Sequence, residues 1–256
     1  MNRTYALASR TRKELLRDPL SYIFCLAFPL VMLAIMTIVD RSIPKEAGMT
    51  VFHLSQLAPG IAVFGQTFLM LFTSLTVSKD RSGYFLVRLY ATPAGSRDFI
   101  LGYLLPMMEI SLMQCGIIYL ASWIVSLILG TPLSAGGLLL SLLTLQPSAV
   151  LFICIGLLFG TLFSEKSAPG LCSIIISLGS FLGCIWFDAD SLGGVMLKIC
   201  KALPFYYCTK LGRSALQLNF STPAFWLPLL IVAGCAVVLA LLSVIVFRSR
   251  MRTDLA

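Results

Sequence analysis

Charge is scarce in this sequence. Asp, Glu, Lys and Arg together make up 12% of its 256 residues, and His53 is the only histidine. With one histidine and neither H-E-x-x-H nor G-x-S-x-G, the common metalloprotease and hydrolase constellations are excluded, and no catalytic residue or metal ligand is expected. No G-x-x-x-x-G-K-S/T occurs, so the chain lacks a phosphate-cradling loop for ATP. The alternating segments of about ten residues that build a membrane barrel are missing as well, as are internal repeats and low-complexity tracts. What fills the chain instead is apolar. Fully 58% of residues are hydrophobic, gathered in six stretches at 20–39, 57–77, 99–129, 138–163, 168–187 and 225–247. At about 1.5 Å per residue, each is long enough to cross a hydrocarbon core of roughly 30 Å. Five of the six contain no charged residue; the third contains Glu109. A soluble chain of this length could not hide so much uncharged helix around one core. Backbone polar groups in lipid must be satisfied within the segment, so the spans should be helical. The expectation is an all-α integral membrane protein: an interfacial segment over 1–19, then a single six-helix transmembrane domain over 20–256.

The formal net charge of +8 would suggest nucleic acid in a soluble protein, but its distribution has a simpler cause, and no nucleic-acid partner is expected. With both termini in the cytoplasm, 13 of the 19 basic residues lie inside and 6 outside, as the positive-inside rule favours. Lys198, Lys201, Lys210 and Arg213, in the outer segment after the fifth stretch, run against that rule. The first stretch is too long for a signal-peptide core and lacks a small-x-small exit, so it should remain as the first span. The expected location is a bacterial plasma membrane, crossed several times. The eight cysteines form no metal pattern; six lie in apolar stretches, and Cys200 and Cys208 could either pair or remain free thiols.

Between the spans, local patterns carry the functional candidates. Residues 2–18 read as an amphipathic interfacial helix with Tyr5, Ala8, Leu15 and Leu16 on one face. The segment 79–93 reads as a short helix with Phe85, Leu86 and Leu89 on one side and Arg81 and Arg88 on another, ended by Pro93. It suits either docking on another protein or a solvated orienting loop. The second span carries Thr67, Ser74 and Ser78 at helical spacing, beside Gln66 and Thr73; the fifth carries Ser173, Ser177, Ser180 and Cys184. G-x-x-x-G occurs as Gly156 with Gly160 and as Gly179 with Gly183. Such stripes either pack helices closely or line a hydrated path. Burying the charge of Glu109 costs at least about 2.5 kcal/mol, so it is expected at the inner leaflet, near water or a polar partner. Leu239 is expected to face lipid. The segment 188–224 reads as partly re-entrant or surface-lying.

Three motifs then stand in order around the spans. They are Asp80-Arg81, Gly83, Arg88-Leu89, Thr92-Pro93 and Leu101-Gly102; Gly156 through Ser164 (G-L-L-F-G-T-L-F-S); and Ala202 through Tyr207 (A-L-P-F-Y-Y) followed by Arg213-Ser214-Ala215-Leu216. Together they resemble the permeases of type-2 ATP-binding-cassette exporters. The sequence departs from that pattern at Ser82 and Tyr84, where an acid and a threonine are usual, and at 182–188, where a Ser-Gly then Pro is usual. The resemblance implies a non-enzymatic membrane subunit that exports a small amphiphile, drug or peptide, or alternatively a lipid or polysaccharide. It implies pairing with a second permease, identical or different, in contact with membrane lipid. A separate ATPase subunit would hold ATP and magnesium, this chain having no cofactor of its own. Asp80, Arg81, Gly83, Phe85, Arg88, Leu89, Thr92 and Pro93 would couple it to that ATPase, while Thr67, Ser74, Ser78, Ser173, Ser177, Ser180 and Glu109 would line the path or a helix interface. An ion-coupled secondary transporter is the alternative class; it calls for midplane acids, and Glu109 alone qualifies.

Overall fold

The computed structural model describes residues 3–19, 23–44, 50–83, 85, 95–188 and 193–254. Among them every regular element is helical. In chain order these are α1 (Arg3–Leu16), α2 (Ile23–Ser42, opened by a π-helical turn), α3 (Leu54–Ser82), α4 (Ser96–Leu129), α5 (Ala135–Thr144), α6 (Gln146–Leu162), α7 (Ala168–Leu182), α8 (Gly194–Ala202), α9 (Pro204–Leu216) and α10 (Leu227–Asp254, entered through the π-helical Thr222–Trp226).

The bundle is organised around α3. Hydrophobic and small residues encircle this helix, and a helix apolar all round belongs inside; most of its side chains are buried. The G-x-x-x-G of α6 seats directly on it. A Cβ at Gly156 would overlap the Met70 carbonyl oxygen, and one at Gly160 would stand 2.7 Å from that of Ser74. In lipid, where apolar burial does not drive helices together, this backbone-to-backbone approach supplies the contact. Ser243 of α10 donates to the Cys154 carbonyl at 3.1 Å and ties the last helix to the same core.

The fourth span is broken at Leu145, between α5 and α6. Pro147 removes a backbone donor there and disfavours helix at the residue before it. Gln66 of α3 fills the break. Its Nε2 donates to the Leu145 carbonyl at 3.1 Å, and its Oε1 accepts from the Ser148 hydroxyl at 2.5 Å.

Five helices among the described residues are long and apolar enough to cross a membrane. The fifth apolar stretch is the exception. Its helix, α7, has 15 residues, about 22 Å, because the backbone turns at Gly183 and Cys184 takes a positive φ of 56°. Hydropathy runs on to Phe187 where helix does not. Thereafter α9 packs back against α3, α5 and α10. Gly212 allows that approach, since a Cβ there would lie 3.0 Å from Pro59, and Phe205 stacks on Phe152 of α6 at 5.7 Å. All eight cysteines are free thiols, and Cys200 and Cys208 lie in separate apolar clusters.

Two sequence expectations about faces differ from the structure. The side of α1 that packs carries Ala8, Thr11 and Leu15, spaced three and four apart as helical geometry requires, while Tyr5 and Leu16 are exposed. Leu239 is half-buried against the core, and its neighbour Leu241 is the exposed one.

Candidate functional site

The site forms where α1 crosses the inner ends of α3 and α4. Leu7 lies over Gly102, where any Cβ would collide with it, so the Leu101-Gly102 motif is the seat for α1. Asp98 caps α4, its Oδ2 accepting from the Gly95 N–H at 3.0 Å, while its Oδ1 accepts from the Thr4 hydroxyl at 2.8 Å. One carboxylate thus starts a helix, offsets its dipole and anchors α1.

With α1 held there, Arg10 reaches Asp80. The guanidinium forks onto the carboxylate, Nη1 to Oδ2 at 2.5 Å and Nη2 to Oδ1 at 2.7 Å, and the Tyr103 hydroxyl donates to Oδ2 at 2.7 Å. Asp80 is 4% exposed. A carboxylate so buried is tolerated only when paired and hydrogen-bonded, and the two-pronged guanidinium is the strongest such partner. Glu14 accepts an ion pair from Arg10 at 3.0 Å and one from Lys79 at 3.6 Å. Partial burial disfavours the Arg10 charge, but the hydrogen bonds and charge of Asp80 outweigh it and hold its pKa above the ordinary value. The face of Arg10 also covers the Phe85 ring, with Cζ 3.8 Å from its centroid.

A second brace lies on the other side of α3. Arg81 Nη1 donates to the Thr161 carbonyl at the end of α6 at 2.6 Å, and the Ser82 hydroxyl donates to Glu165 at 3.0 Å. A cleft of about 1000 Å³ opens between α1 and α3, with Phe72 and Leu75 in its wall and Arg10, Lys13, Arg17 and Glu165 around it.

The sequence-derived candidates therefore divide. Asp80 and Arg81 belong to the last turn of α3, because no residue breaks the helix before Gly83, whose N–H closes it onto the Lys79 carbonyl. Phe85 is half-buried beneath Arg10. Arg88, Leu89, Thr92 and Pro93 lie outside the described residues. Thr67, Ser74 and Ser78 are buried inside the protomer; Ser180 is buried too, but Ser173 and Ser177 are exposed, beside exposed Ile174, Leu178 and Phe181. Of the fifth-span stripe, Ser173 and Ser177 therefore point away from the protomer interior that holds the stripe of the second span, and Ser180 points into it. Glu109 is 56% exposed and meets Arg12 of α1 at 3.5 Å.

Sequence reasoning missed Arg10, Glu14 and Tyr103. The one local signal was Arg10 and Glu14 at i and i+4 on one face of α1. It named Gln66 beside the stripe of the second span but gave it no partner, although an amide in an apolar helix must find one. What the arrangement can do is mechanical: it joins three helices to Phe85, in the segment after α3.

No curated protein matches the chain. A family model, described as the ABC-2 type transporter, matches residues 2–217, from α1 through the braced end of α3 to the end of α9. The chain belongs to the ABC-2 type transporter family, as a membrane permease subunit.

Proposed function

We propose that this permease works as the membrane half of an ATP-driven exporter in a bacterial plasma membrane. It crosses six times with both termini in the cytoplasm, and it pairs with a second permease subunit. A separate ATPase binds ATP and magnesium and drives both. The cargo is a small amphiphile, drug or peptide.

The observation that carries this reading is the Arg10–Asp80–Tyr103 clamp with Phe85 beneath it. Force applied by an ATPase to the segment beginning at Gly83 reaches α1, α3 and α4 together. Differential contacts of the ATPase with and without nucleotide would then bias the bundle between two arrangements. The exposed serine face of α7 supports a second permease subunit. Glu109 sits on the surface beside Arg12, which speaks against a midplane proton carrier.

The test is ATP-dependent transport in inside-out vesicles containing the permease and its ATPase. Export predicts that cargo accumulates in the vesicles on ATP addition. Release of preloaded cargo on ATP addition, with no accumulation, overturns the direction.

A further inference from the structure

Four basic residues run against the charge rule in the segment after α7, and two of them share one cavity. Lys210 and Arg213 of α9 line a cavity of about 260 Å³ at the end of the bundle opposite α1. Gln56 also lines it, 24 residues before Asp80 on α3, which is about 36 Å along a helix.

Three observations point to a ligand. First, the cavity is polar and cationic. Lys210 and Arg213 line it with Asp188 as its acid among the described residues, joined by Tyr206 and Gln56. Second, the cations are positioned. Arg213 is held by the Gln56 carbonyl at 3.1 Å and the Cys184 carbonyl at 2.9 Å, and Lys210 lies 3.2 Å from the Tyr206 hydroxyl. Third, Thr209 lines the same cavity, is 1% exposed, and its hydroxyl has no hydrogen-bond partner among the described residues. Other helical threonines of this chain, Thr73, Thr76 and Thr161 among them, bond back to the preceding turn, while buried Thr11, like Thr209, does not. An unmet buried hydroxyl is unfavourable.

We propose that this cavity binds an oxyanion, the phosphate or carboxylate headgroup of an amphiphile, with the Lys210 ammonium supplying charge and the Thr209 hydroxyl donating a hydrogen bond. The room exceeds what a bare ion fills, which favours a headgroup over a free anion. Lys210 and Arg213 are then tolerated on the side that the proposed topology places outside the cell because they serve a site. This inference holds whichever way cargo moves.

The test uses the full-length permease in a neutral detergent, with lipid binding read by native mass spectrometry. The probes are phosphatidylglycerol, phosphatidylcholine and inorganic phosphate. Lys210→Met and Thr209→Val should each weaken phosphatidylglycerol binding about tenfold, the scale of a hydrogen bond to a charged group. Thr209→Ser should retain binding. Lys198→Met removes the same charge from an exposed position and should change binding by less than about twofold. Phosphatidylcholine, with no net charge, should bind weakly to all variants. Saturable inorganic phosphate that competes, with the same variant dependence, assigns the site to the free anion; phosphatidylglycerol binding without such competition assigns it to a headgroup. Either outcome supports the oxyanion site. If Lys210→Met does not fold, the contrast of Thr209→Val with Thr209→Ser decides alone. Unchanged affinity in Lys210→Met and Thr209→Val, or an equal fall in Lys198→Met, overturns the proposal.

Discussion

Arg10 and Asp80, seventy residues apart in sequence, meet through two parallel hydrogen bonds of 2.5 and 2.7 Å at the inner end of α3. The contact makes α1 part of the bundle and not a loose membrane anchor. It also places Asp80 and Arg81 inside the permease, ahead of the segment that would meet an ATPase.

Removing one partner of this fork should cost more than removing both. Arg10→Met leaves the buried Asp80 carboxylate with Tyr103 alone and should destabilise by about 2 kcal/mol, the scale for hydrogen bonds to charged groups. Adding Asp80→Asn should restore part of the loss, because the uncompensated charge is gone. Thermal unfolding of the two single variants and the double variant in detergent measures the difference. A double variant that loses the full sum of the single losses contradicts an interaction between them.

Gly156→Ala should destabilise by about 1–3 kcal/mol, since its methyl group would overlap the Met70 carbonyl and a packed interface resists overfilling. Gly170→Ala is the control, with open space around it, and should be neutral. Melting temperatures and membrane yields of the two variants make the comparison.

How much of this was legible in the sequence follows from what fixes each feature. Apolar runs located the long helices, because in lipid length and hydropathy decide. Their ends extended further, as with α3 running from Leu54 to Ser82, because capping and breaking residues such as Asp98 and Gly83 set ends. The shortness of α7 was hidden, since Ile185 and Phe187 look like span while the chain has already turned at Cys184. The clamp was hidden for another reason. Asp80 read as a residue coupling the chain to an ATPase, and only tertiary contact brings Arg10 and Tyr103 to it.

Ser177 separates a packing role from an interface role. It is exposed in the protomer, so Ser177→Trp should leave protomer stability within about 0.5 kcal/mol, as surface changes do. If a second permease covers this face, transport should nevertheless fall, whereas Leu241→Trp, on an exposed part of α10, should not impair it. Disulfide capture between two Ser177→Cys copies in a cysteine-free background would show that like subunits meet there. Equal transport by both tryptophan variants contradicts an interface at α7.

Glu109→Gln should leave most transport intact. The exposed pair with Arg12 is worth less than about 1 kcal/mol, and screening by salt lowers that further. Transport assayed across an imposed proton gradient checks this. Complete loss of activity in a normally assembled variant would restore proton coupling as the mechanism.

In the proposed exporter the segment following α3 carries the ATPase, with Phe85 and, from the sequence pattern, Leu89 as its apolar anchors. Truncating buried anchors at an interface costs about 2 kcal/mol or more, while charges at the rim cost less. The direct measurement is recovery of the ATPase with the Phe85→Ala/Leu89→Ala permease, from membranes where the variant inserts normally, together with cargo-stimulated ATP hydrolysis. Recovery should fall, and hydrolysis should no longer respond to cargo. Full recovery of a complex whose hydrolysis still rises with cargo would contradict that role for the segment.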